Sequence, residues 1–104
     1  MILSTTAEVP GKQTLQYKGF VKGSTVQSKN FARDFGASLK TLVGGEIKAY
    51  TQMMNDARQI AIGRMVKEAE ALGANAIIGM RLESSTVMAG ASEMIAYGTA
   101  VSVE

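Results

Sequence analysis

The feature that most constrains this chain is one long stretch with helical periodicity, from about Glu46 to Leu72. Ile47, Tyr50, Met54, Ala57, Ala61, Met65 and Leu72 recur on one stripe, the spacing of an amphipathic helix. Lys48, Gln52, Asn55, Asp56, Gln59, Gly63, Lys67 and Glu70 lie opposite. At 1.5 Å per residue such a helix is roughly 40 Å long. Its apolar zone is wider than one sheet needs. Met53 and Ile60 extend it on one side, and Ile62, Val66 and Ala69 on the other. A stripe somewhat over 100° wide is enough to cover a sheet. The surplus predicts a second apolar neighbour, and in a chain with one long helix that neighbour is another copy. Met53, Ile60, Ile62 and Val66 are the candidate contact residues.

The chain has 104 residues and is 46% hydrophobic, the size and composition of one globular domain spanning 1–104. Around the helix, alternating patterns predict strands over Met1–Thr6, Gln13–Gln27, Ala76–Met88 and Met94–Val103. In the second of these, Leu15, Tyr17, Gly19 and Val21 fall on one face, with Gly19 and Gly23 marking a bulge or a close backbone approach. Ile78, Met80 and Leu82 share a face of the third strand, and Ile95, Tyr97, Thr99, Val101 and Val103 one of the fourth. The turn Ala89–Ser92 joins those two as a hairpin. Asn30–Val43 reads as a short helix. Gly44-Gly45 breaks the chain before the long helix, and Gly73 fits its left-handed cap. The expected class is α+β, an antiparallel sheet packed by one long helix.

Composition removes many functions. The sequence has no Cys and no His. A disulfide framework, a thiolate site, a His-based triad and the usual zinc or copper ligands are therefore absent. The first residues have neither a basic n-region nor a long apolar core, and no run is long enough to span a bilayer. The expected address is cytoplasmic, with no membrane partner. Charge is uneven. Residues 1–45 carry +4 and residues 46–104 carry −2, for a net +2, a division suited to packing between copies or to an anionic partner.

Candidate chemistry is sparse. Gly44-Gly45-Glu46 is a turn that could also nest an anion, although Glu46 would repel a phosphate and no P-loop lysine follows. Arg33 and Asp34 form an ion pair or hold a polar ligand, and Glu46 with Arg58 could join them at a junction between copies. Arg58, Arg64 and Glu68 border the apolar stripe, with Arg64 and Glu68 spaced to pair with each other. Met54, Met65 and Met80 are core fillers before they are soft-metal ligands. Lys18, Phe20 and Lys22 form a basic-aromatic strand surface too thin to argue for nucleic acid. No catalytic residue, no cofactor and no metal ligand emerges.

The motifs together resemble a known family. Gly44-Gly45-Glu46, Tyr50-Thr51, Asp56-Ala57-Arg58, Glu68-Ala69, the run Leu72–Arg81 and the close Ala96–Val101 are similar to the YbjQ-like family across essentially the whole chain. The resemblance implies a dodecin-subunit-like α+β fold assembled into a homopentameric ring. It brings no catalytic residue. It does bring the description "putative heavy-metal-binding", so a metal-binding module stands beside a non-catalytic ring that binds a small ligand or partner. An enzyme with a site between subunits is the third reading.

Overall fold

The computed structural model describes residues 1–27, 44–88 and 91–104, with side-chain surroundings for all of these except 27, 44–50, 86–88 and 91. The elements are β1 (Ile2–Leu3), β2 (Thr14–Gln27), α1 (Gly44–Ala71), β3 (Ala76–Met88) and β4 (Ala91–Val103). The four strands form one sheet in the order β1-β3-β4-β2. The short helix expected over Asn30–Val43 lies outside the described residues.

The sheet is mixed, not wholly antiparallel as expected. β2 and β3 both run antiparallel to β4, but β1 lies parallel to β3, with Ile2 beside Ala76 and Leu3 beside Ile77. The strand expected over Met1–Thr6 is only two residues long. Ser4 and Thr6 then bend the segment by bonding within it: the Ser4 and Thr6 hydroxyls share a hydrogen bond of 2.5 Å, and the Thr6 hydroxyl donates to the Glu8 carbonyl. Short polar side chains compete in this way with strand ladders.

Two bulges reset the alternation. The β2–β4 register shifts between Tyr17 and Gly19, where Gly19 has φ 130°. Tyr17 therefore does not share a face with Val21: Val21 is fully buried and Tyr17 is 65% exposed. The β3–β4 register shifts between Ile78 and Arg81, around Gly79 with φ 60°. Ile78 and Leu82 thus lie on opposite faces, whereas strict alternation puts them on the same one.

α1 ends as the sequence indicates. Gly73, at φ 78°, donates to the Glu70 carbonyl and Ala74 to that of Ala69, the pair of bonds of a Schellman cap. The helix packs on one face of β2 and β4 through Ala57, Ala61, Met65 and Ala69, all buried. Beneath them lie Val21, Met94, Ala96, Ala100 and Ile77. The contact is made largely by small residues, so the two backbones approach closely. Gly23 is the point of closest approach. A Cβ there would sit 2.2 Å from both the Ala61 carbonyl oxygen and the Met65 nitrogen. Leu72, expected on the packing stripe, lies past the helix end and is exposed.

The opposite face of the sheet has a second, smaller core. Val9 from the N-terminal segment packs with Ala76, Ile78, Val101 and Val103, with Ile2 at its border. Among the described residues, only that end of the face is covered.

Candidate functional site

The other end of the second sheet face, which none of the described elements covers, is built by β2 and β4. Register places Phe20 opposite Thr99, and Lys22 opposite Tyr97, so the side chains of these residues project together. The rings of Phe20 and Tyr97 are 6.4 Å apart and tilted by 45°, an ordinary separation for an aromatic pair. Phe20 is 64% exposed, and Tyr17 and Val26 are exposed with it. At its edge the Tyr97 hydroxyl donates to Glu83 Oε1 at 2.9 Å. That bond to an anionic acceptor, with desolvation and the Glu83 charge behind it, raises the Tyr97 pKa above the ordinary tyrosine value of 10.0. Arg81, which works weakly in the other direction, is turned to the Thr5 and Met80 carbonyls.

A second apolar surface lies on α1. Ile60 is 45% exposed, and Met53, two turns earlier on that flank, is half-buried. Ile62 and Val66, on the other flank, pack partly against the core of their own subunit. The surplus inferred from the sequence therefore divides: Ile62 and Val66 have a neighbour within the chain, while Ile60 remains open to solvent.

Arg64 and Glu68 turn to the outer edge of β2. The Arg64 Nη1 donates to the Ser24 carbonyl at 2.5 Å, and Glu68 Oε1 accepts from the Lys22 amide at 3.3 Å. Edge strands expose backbone groups that invite other strands, and here two of those groups are occupied by helix side chains.

The speculative ligand set does not assemble on the described chain. Arg33 and Asp34 lie outside the described residues. Glu46 is in the first turn of α1, and Arg58 is 12 residues further along, a rise of about 18 Å. Arg58 is half-buried and its Nη1 donates to Asn55 Oδ1 at 2.7 Å. Among the described residues no three acidic side chains converge as a metal site, and the sequence offers no Cys or His. Of the described helices, none is long and apolar enough to cross a membrane.

A family model described as "Putative heavy-metal-binding", the YbjQ model, matches residues 1–104. A UPF0145 protein of Clostridium perfringens is 62% identical over 104 residues, covering 100% of this chain and 98% of that protein. UPF0145 proteins of Halalkalibacterium halodurans and Thermotoga maritima are 60% and 56% identical, with the same coverage. A crystal structure of a protein of unknown function from the DUF74 family of Pediococcus pentosaceus superposes with a TM-score of 0.66. It is 18% identical, with 100% of this chain and 98% of that one covered. At that identity the likeness speaks for the fold.

Proposed function

Since this chain belongs to the YbjQ family, whose UPF0145 relatives are uncharacterised, we propose that it works as a self-assembling, non-catalytic subunit. Copies form a closed homo-oligomeric ring, a homopentamer, and the ring holds a small ligand or partner. The observation that carries this reading is exposed apolar surface: Leu15, Tyr17, Phe20 and Val26 on β2 and Ile60 on α1 are all open to solvent, surface of the kind that marks a contact with a partner.

The family description points to a metal, but the sequence has no Cys or His and no three acidic side chains converge among the described residues, so no metal enters this proposal. Light scattering after size exclusion tests it. The expected mass at micromolar concentration is five times 11.0 kDa. A mass of one chain would overturn the reading.

A further inference from the structure

We draw no further inference here: the strongest candidate, the Phe20–Tyr97 surface patch on the sheet face built by β2 and β4, sets Lys22 and Arg81 opposite Tyr97 and Glu83 in a hydrogen bond to it, so its charge selects no class of partner and nothing in the structure shows what covers it.

Discussion

Replacing Gly23 by alanine adds one methyl group at the point where strand and helix are closest. The new carbon would lie 2.2 Å from the Ala61 carbonyl oxygen and from the Met65 nitrogen, and 2.8 Å from the Arg64 carbonyl carbon. Ordinary contact begins near 3.4 Å, so the approach is short by about 1.2 Å. All three atoms are helix backbone, and no side chain can rotate away. Either α1 lifts off β2 or the strand bows. Both disturb the packing of Val21, Ala61 and Met65, which are fully buried. Overpacking a core costs about 1–3 kcal/mol, and a rigid backbone obstacle places this case near the upper end, about 3 kcal/mol. For a domain of this size that is a fall in Tm of roughly 12–24 °C. Gly63→Ala is the matched control. It adds the same methyl to the same helix where nothing lies within 4 Å, and should gain up to about 1 kcal/mol from helix propensity. Thermal and urea unfolding followed at 222 nm, at one fixed protein concentration, measure both. The reasoning is refuted if Gly23→Ala melts within 2–3 °C (about 0.5 kcal/mol) of the wild type, or if the two substitutions change stability in the same direction.

Four further outcomes are expected. Absorbance titration at 295 nm should find one tyrosine ionising above the ordinary range, and Glu83→Gln should bring it down, since Glu83 is the main cause of the shift. The folded pKa lies above the unfolded one, so the Tyr97–Glu83 bond favours folding below the unfolded tyrosine pKa, and that contribution is lost as pH rises through the raised value. Thr14→Val should be neutral or stabilising by about 1 kcal/mol in urea unfolding, because the buried Thr14 hydroxyl has no hydrogen-bond partner among the described residues. Arg64→Ala should cost about 1 kcal/mol and increase light scattering on prolonged heating, as the Ser24 carbonyl on the β2 edge is freed. Calorimetric titration with Zn²⁺, Ni²⁺ or Cu(I) should show no stoichiometric site; one tight ion per chain would contradict the donor argument.

What the residues announced in advance was local. Gly73 signalled the cap, and Gly19 and Gly23 together signalled a bulge or a close approach, with the structure placing the bulge at Gly19 and the approach at Gly23. The β3–β4 hairpin was legible from two alternating runs and a small-residue turn. The long helix was legible too, but its contact residues were only partly so. Ala57, Ala61 and Met65 of the expected stripe are buried, but Leu72 is exposed and Ala69, placed on the flank, completes the buried line over Ala96 and Ala100. Close backbone packing rewards smallness, which a hydrophobic scale understates. Bulges were hidden for a related reason: one inserted residue at Gly79 leaves Ile78, Met80 and Leu82 looking like an unbroken alternation. The parallel pairing of β1 is a contact across more than seventy residues, beyond any local pattern. Arg64 and Glu68 have the spacing of a helix ion pair, yet each finds a backbone group on β2 that sequence separation conceals. Of the candidate ligand residues, Arg33 and Asp34 fall outside the described residues, and Glu46 and Arg58 are set apart by the length of helix between them.

The bond from the Lys22 amide to Glu68 makes one backbone proton a reporter on the whole docking surface. In a strand interior, an amide exchanges with solvent when the ladder opens. At Lys22 the shield is a carboxylate carried by α1, so exchange there follows the helix lifting from the sheet while β2 and β4 stay paired. Comparing the exchange rate of this amide with that of an amide bonded between β2 and β4 would separate two motions that a melting curve merges, the undocking of a layer and the loss of the sheet.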